Sequence, residues 1–307
     1  MACRKHEQAP KRAIHSGFFI ILRYSGVKTH NKWAKFTFHK ILLLKNAVLY
    51  LFCLSFLTGA AQSRQRNFIQ REVGFFAGGC YYLGDINPRI HFLASKPAAG
   101  IFFRYETNYR YAFRFGLNYG SISGSDTQSD EDNQKERNLS FKSQIFELSS
   151  VAEFNFFDYR IGHDKYRFTM FLFAGLGCFY FNPKADLGGG YEALRNYKTE
   201  AQAKKYSRIQ VNIPFGVGFK WNVGEKCGLG IEWGPRRTFT DYLDDVSGTY
   251  PTVLSDQSNF TDRTINNSAR PGSMRGNPST RDWYFYYGIN LSIKLREFHK
   301  QCHTSGM

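Results

Sequence analysis

The chain has 307 residues, 42% hydrophobic and 17% aromatic, with 30 Phe, 19 Tyr and 28 Gly. Its mean hydropathy of -0.43 excludes a bundle of membrane helices, and its aromatic content excludes a disordered chain. The net charge of +16 is uneven: residues 1–61 hold 10 Lys/Arg and one acid, leaving +7 on the remainder, which does not point to nucleic acid.

Residues 1–61 read as targeting. Lys40 and Lys45 precede an 11-residue apolar run, 47–57, and Gly59, Ala60, Ala61, Gln62 and Ser63 follow it. A basic region, a short apolar core and a small-residue end make a secretory signal, with cleavage after Ala61 or Ser63. A membrane anchor is the alternative, because residues 46–63 carry no charge. The basic lead before Lys40 matches no further pattern. Residues 62–72 are then expected as a periplasmic N-terminal segment, 73–295 as one domain and 296–307 as a periplasmic tail. Cys80, Cys178, Cys227 and Cys302 are scattered and form no paired spacing. An exported compartment permits a disulfide, but lone buried or lipid-facing thiols are the expectation.

Eight segments alternate with period two. In the first, Val73, Phe75, Ala77, Gly79 and Tyr81 share a face. In the second, Ile101, Phe103 and Tyr105 oppose Arg104 and Glu106. In the third, Tyr111, Phe113, Phe115, Leu117 and Tyr119 oppose Arg114, Gly116 and Asn118. In the fourth, Phe146, Leu148, Ala152, Phe154 and Phe156 oppose Glu147, Ser149, Glu153 and Asn155. The fifth, 168–181, is apolar on both faces, so its phase stays open. In the sixth, the row from Ile209 to Trp221 opposes Gln210, Asn212, Pro214, Gly216, Gly218 and Lys220. The seventh sets Leu229, Ile231 and Trp233 against Gly228, Gly230, Glu232 and Gly234. The eighth sets Trp283, Phe285, Tyr287, Ile289, Leu291, Ile293 and Leu295 against Tyr284, Tyr286, Gly288, Asn290, Ser292 and Lys294.

Most segments run about 10 residues or more, the length a tilted strand needs to cross a bilayer. Their connections alternate. Long ones span 84–97, 121–140, 182–207 and 240–282; short ones span 107–110, 158–165 and 222–226. This predicts an all-β protein: an eight-stranded antiparallel transmembrane barrel of the outer membrane, with short periplasmic turns and long outer loops. A soluble lipid-carrying barrel shows the same alternation, but needs an apolar lumen. Here one face is large and apolar, and the other is Gly, Arg, Glu, Asn and Ser. The predicted interior holds Arg104, Glu106, Arg114, Glu147, Glu153, Lys220, Glu232, Arg236 and Lys294, five basic and four acidic. Such a set forms a plug only if the charges pair. Glu147, Glu153 and Glu232 are expected to oppose Arg104, Arg114 and Arg236.

A catalytic constellation is hard to assemble. Of the histidines after the leader only His91 falls in an outer loop, near Ser95 and Asp85; His299 and His303 lie in the tail beside Cys302. An enzyme acting on lipid or peptide needs His91 at the outer rim. Asp126, Asp130, Glu131 and Asp132 lack the spacing and glycine of a calcium loop, and read as a solvated acidic loop. No cofactor, metal or small-molecule substrate is expected.

Several stretches resemble a known family: 73–76 with 82–85, 100–105, 137–141, 153–157, 172–175 with 181–183, 213–216, 237–247, 275–276 and 281–285. Together they resemble the PorG-like outer-membrane barrels of the Bacteroidetes, most specifically through Thr-Asp-Tyr-Leu-Asp-Asp-Val-Ser at 240–247. The resemblance covers nearly all of 70–295. It implies an eight-stranded outer-membrane protein and, for PorG itself, a part of the type IX secretion and gliding machinery docked on a periplasmic ring of a lipoprotein and its partner. The family has many paralogues without an assigned role.

Read on its own residues, the 240–247 block places Thr240 as cap of a short helical turn, with Asp241 at its start. Asp244 and Asp245 are expected to pair with Arg236 or Arg237 at the barrel mouth, in a loop folded back over the lumen. At the other end, Arg64, Arg66, Arg71, Arg160, Lys165, Arg296 and Lys300 make a basic periplasmic rim. Such a rim orients a barrel in its membrane, or docks an acidic patch on a periplasmic protein.

Overall fold

A computed structural model describes residues 69–186, 188–253, 258–265 and 269–295. The expected signal at 1–61, Arg64, Arg66, Arg296, Lys300 and the rest of 296–307 lie outside the described residues.

Nine strands follow in chain order: β1 (Gln70–Leu83), β2 (Lys96–Glu106), β3 (Tyr111–Ser125), β4 (Ser140–Asn155), β5 (Phe168–Asp186), β6 (Tyr191–Ala193), β7 (Ile209–Asn222), β8 (Cys227–Thr238) and β9 (Trp283–Lys294). Eight of them form a ring, β1-β2-β3-β4-β5-β7-β8-β9, and β9 pairs back onto β1 from Glu72↔Lys294 to Leu83↔Trp283. All pairings are antiparallel. Closure leaves no barrel edge to attract another strand. β6 is an addition to the sequence expectation, three residues paired to the tip of β5.

Two boundaries differ from that expectation. β1 begins at Gln70, because Gln70 and Glu72 already point inward and are buried; the end of the predicted periplasmic segment is barrel. β3 and β4 stay paired as far as Ser125↔Ser140, and β5 runs to Asp186, so three strands project beyond their predicted ends. Outward side chains on that projection are polar: Ser121, Ser123, Lys142, Gln144, Asn182 and Lys184.

Below it the outward rows are apolar and uncovered. Leu176 is 71% exposed and Leu148 64%, with Phe75, Ile101, Phe115, Val211 and Ile289 in the same belt. A continuous apolar belt of this extent on a closed barrel is a lipid-facing surface. Aromatic rings border it. Tyr119, Phe146 and Tyr180 line the long-loop side, with centroids 4.9 and 6.4 Å apart. Trp221 with Phe168 and Phe219 lines the short-turn side. Such girdles suit the two interfaces of a bilayer.

The interior departs from the purely polar lumen that the alternation predicts. The fifth segment resolves with Phe171, Phe173, Phe179 and Phe181 inward and buried. Phe171 and Phe173 fit because neighbouring inward residues are glycine. A Cβ on Gly218 would come within 2.5 Å of the Phe171 ring, and one on Gly234 within 2.6 Å of the Phe173 ring. Toward the long loops, Phe76, Tyr82, Ile122, Ile145, Phe179, Phe181, Tyr284 and Tyr286 form a hydrophobic core with Leu243 and Val246 of the last loop. Interiors of eight-stranded barrels are filled by side chains; here charged and aromatic layers share that task.

The turn between β4 and β5 also differs. It spans 156–167 and folds inward, burying Tyr159 and Ile161 under the short-turn end. Asn222 Nδ2 holds it by donating to the carbonyls of Arg160 (2.6 Å) and Tyr166 (3.2 Å).

Candidate functional site

The candidate site has two storeys: a charge network in the lumen and a lid of loops over the mouth.

Inward-facing positions on six strands build the network. Glu153 on β4 is its hub. It meets Arg104 (2.9 Å), Arg114 (2.9 Å) and Lys220 (2.6 Å) from β2, β3 and β7. Arg104 also reaches Glu72 (2.6 Å), and Arg114 reaches Glu232 (2.6 Å). Arg236 meets Glu147 at 3.3 Å, and Glu147 accepts further bonds from Tyr284, Asn212 and Asn118. The cations also lie over rings: Arg114 over Phe102 and Phe173, Lys220 over Phe171 and Arg236 over Tyr286, each within 5.5 Å of the centroid. Buried charges held this way offset their desolvation through geometry and extra hydrogen bonds.

Seven of the nine predicted lumen charges meet in this network. Two do not. Glu106 is buried, but its carboxylate oxygens have no hydrogen-bond partner among the described residues, because Arg104 and Lys220 are engaged by Glu72 and Glu153. Lys294 sits half-buried at the terminal end of β9 and joins no ion pair among the described residues. Glu72, absent from the predicted set, takes a full place. Its signal is in the sequence, since it is in phase with Gly74 and Phe76, but it precedes the expected barrel start.

The mouth corrects the sequence reading more strongly. No helical turn forms at Thr240; the segment bends, and Asp245 adopts a left-handed φ of 66°. Thr240 Oγ1 accepts from the Tyr242 amide (3.3 Å), and Asp241 accepts from Ser247 Oγ (2.7 Å). Asp244 and Asp245 do not pair with Arg236 or Arg237. Arg236 is drawn down to Glu147, and Arg237 points outward and is exposed. Asp244 instead accepts from Tyr82 Oη (2.5 Å) and the Val246 amide (2.9 Å). Asp282 shares the Tyr82 hydroxyl (3.1 Å) and accepts from the Leu243 amide (2.9 Å). Asp245 accepts from Thr199 Oγ1 (2.6 Å) and Tyr206 Oη (2.7 Å). The loop does fold over the lumen as expected.

These carboxyls sit where burial outweighs their hydrogen bonds. It pushes Asp245 up to about 6, against the lowering effect of the Arg275 guanidinium. Burial also pushes Asp85 up to about 6. Asp244 and Asp282 rise too, through burial first and then neighbouring carboxylates.

Asp126 is the other correction. It is buried, not solvated. Arg137 grips both its oxygens at 2.7 and 2.8 Å, and the Leu139 amide donates to it at 2.8 Å. A short helix, α1 (Asp132–Arg137), delivers that arginine. Arg137 then donates to the carbonyls of Asp85 (2.9 Å) and Arg275 (2.6 Å). Arg275 contacts Glu200 (3.2 Å) and the Asp245 carbonyl (2.7 Å). So the distinctive stretches 82–85, 137–141, 237–247, 275–276 and 281–285, far apart in sequence, converge on one lid.

The chain belongs to the DUF6089 family. Its model, described as a domain of unknown function, matches residues 45–304. No curated protein matches the chain. Among solved structures, this DUF6089 barrel is similar to Neisserial surface protein A (12% identity, 73% of this chain and 97% of that one, TM-score 0.39). It is also similar to the attachment invasion locus protein Ail of Yersinia pestis (8%, 75% and 100%, 0.34) and to the outer membrane protein OprG of Pseudomonas aeruginosa (9%, 75% and 95%, 0.33). The closed ring of strand pairings, not these distant likenesses, establishes the barrel.

The remaining candidates do not assemble. His91 meets Tyr81 Oη through Nδ1 (3.0 Å), while Ser95 Oγ donates to the Phe92 carbonyl (2.9 Å) and Asp85 accepts from the Asn277 amide (3.1 Å). No His/Ser/Asp relay exists among these three. Cys80, Cys178 and Cys227 are free thiols, Cys80 buried and Cys178 outward. Of the basic rim, Arg71 is exposed on β1, Lys165 is exposed in the 156–167 turn, and the Arg160 carbonyl is tied to Asn222.

Proposed function

We propose that the chain is a non-enzymatic outer-membrane barrel that serves as a structural component of an envelope machine for protein secretion or gliding. This is the type IX role implied by its resemblance to the PorG-like barrels. What carries the reading is the closed interior. The Glu153 hub joins three strands' cations across the lumen, and the lid seals the mouth. An interior closed in this way leaves the lipid face and the two ends as working surfaces. The barrel is held with both termini in the periplasm, after export through the signal at 1–61. Its partners there are periplasmic ring proteins or a lipoprotein with an acidic face, met by the basic rim. Charge complementarity sets encounter and register in such contacts more than raw affinity.

Gentle crosslinking and pull-down from membranes tests this. Reversing Arg64, Arg66 and Arg71 to Glu is expected to leave the barrel assembled and to reduce co-purification of its periplasmic partner. Truncation after Leu295 is expected to act the same way. Undiminished co-purification in both variants, with normal insertion, contradicts docking through the rim.

A further inference from the structure

The outer loops border an open cavity of about 1140 Å³ beside the lid, whose Asp85, Arg137 and Arg275 form part of its wall. Six arginines line it, Arg89, Arg137, Arg237, Arg270, Arg275 and Arg281, against three acids, Asp85, Glu131 and Glu136; no lysine does. Arg89, Arg137 and Arg275 are held by Glu131, Asp126 and Glu200. Arg237, Arg270 and Arg281 are exposed and join no ion pair among the described residues. The cavity therefore presents three guanidiniums outside any ion pair among the described residues, with Arg281 near enough to Asp241 to act on its carboxylate; the guanidinium is the group whose planar fork grips phosphate oxygens in pairs.

A second observation points the same way. Tyr250 lines the cavity and is 4% exposed, yet its hydroxyl has no hydrogen-bond partner among the described residues. Arg275 Nε, also in the lining, is buried and unpartnered too. Buried donors without acceptors are costly and rare, and an anion in the cavity supplies acceptors. One wall of the cavity is apolar: Leu83, Trp283 and Phe285. Arg237 and Trp283 are cross-strand partners at the long-loop ends of β8 and β9, so the cavity borders the barrel wall just beyond the apolar belt.

We propose that this cavity is a binding site for a phosphate-bearing anionic headgroup, with Arg237, Arg270 and Arg281 as its principal contacts. A phosphorylated lipid of the surrounding leaflet and a free phosphate share that chemistry. The lipid source rests on the membrane reading above; the anion site itself does not.

The test uses the full chain purified in detergent. Calorimetric binding is measured to inorganic phosphate, to a diphosphorylated acylated glucosamine disaccharide, and to its dephosphorylated form. The triple variant Arg237→Gln, Arg270→Gln, Arg281→Gln is compared with a control carrying Lys142→Gln and Lys184→Gln. Arg270→Gln alone, remote from the strands, serves if the triple variant does not fold. The phosphorylated lipid is expected to bind at least tenfold more weakly to the triple variant, severalfold more weakly to the single one, and unchanged to the control. Equal dependence for inorganic phosphate assigns the site to the free ion; dependence for the lipid alone assigns it to the headgroup. Equal binding of phosphorylated and dephosphorylated lipid, equal binding by wild type and the arginine variants, or no binding of either phosphate-bearing ligand overturns the proposal. A heat-dependent gel shift on the same samples reports the barrel separately, so failure of the site is distinguishable from failure of the fold.

Discussion

The lumen and the mouth bury carboxylates by opposite means. In the lumen, Glu72, Glu147, Glu153 and Glu232 each meet an arginine or lysine within 3.3 Å. At the mouth, Asp244, Asp245 and Asp282 are held by the hydroxyls of Tyr82, Thr199 and Tyr206 and by backbone amides. The first arrangement answers these four anions with cations and leaves Glu106 alone among the lumen glutamates without one among the described residues. The second leaves burial dominant and its carboxyls raised. The lumen is thus built as a permanent brace between strands, and the mouth as a latch whose strength depends on protons.

Removing the hub is expected to cost most. Glu153→Ala strands Lys220 and takes one of two anions from each of Arg104 and Arg114, and an uncompensated buried charge typically costs ~3–5 kcal/mol. The unfolding midpoint in denaturant should fall further than for Glu232→Ala, which strands Arg114 from one of its two anions. Glu131→Ala, half-exposed and paired at 3.4 Å with Arg89, should change it by less than about 0.5 kcal/mol. Equal midpoints for all three would put Glu153 outside a closed lumen.

Tyr82→Phe breaks the latch and spares the brace. It removes the hydroxyl that Asp244 and Asp282 share, a loss worth about 1–3 kcal/mol. Protease cleavage within 239–282 should accelerate while the heat-dependent gel shift persists. Loss of the gel shift would mean that latch and brace are one unit.

The pH response sharpens the contrast. Asp85 and Asp245 rise from 3.8 to about 6, so between about pH 4 and 6 the closed lid binds protons that the open loop releases. Stability of the lid therefore falls as pH rises through that window and is greatest below it. Loop cleavage, corrected for protease activity, should be slower at pH 5 than at pH 7.5, with the barrel's gel shift unchanged. Asp245→Asn, which carries no titrating proton, should remove its own share of that difference and leave the share due to Asp85. Faster cleavage of the wild type at pH 5 would contradict the raised carboxyls.

The smallest effect is expected at Lys294→Gln. The residue has an inward phase, yet sits half-buried at the strand's end with no ion pair among the described residues. Its midpoint should move by less than about 0.5 kcal/mol. A shift of the size expected for Glu232→Ala would place it inside the network.

What is legible in the sequence divides along the same line. Outward rows such as Tyr111 to Tyr119 and Ile209 to Trp221 announce themselves by alternation, because lipid demands every second residue be apolar. Inward charges follow from the same phase, and Arg104, Arg114, Glu147, Glu153, Lys220, Glu232 and Arg236 all face the lumen. β5 is opaque because its inward row is also aromatic, and inward glycines of other strands make room for it, Gly216 and Gly234 for Phe173 and Gly218 for Phe171. The mouth escapes local reading because its contacts are set by tertiary closure. Tyr82 and Asp244 are 162 positions apart, and no local spacing selects a tyrosine hydroxyl over the nearer Arg236 or Arg237. What does point there is the set of distinctive stretches that share the lid.

The barrel is closed by its own charges and aromatic rings. Conductance of the purified chain in a planar lipid bilayer tests it most directly. The wild type is expected to give a flat trace, and Glu153→Ala reconstituted at the same density to raise leak above it. Stable, ohmic conductance steps from the wild type would contradict a closed lumen.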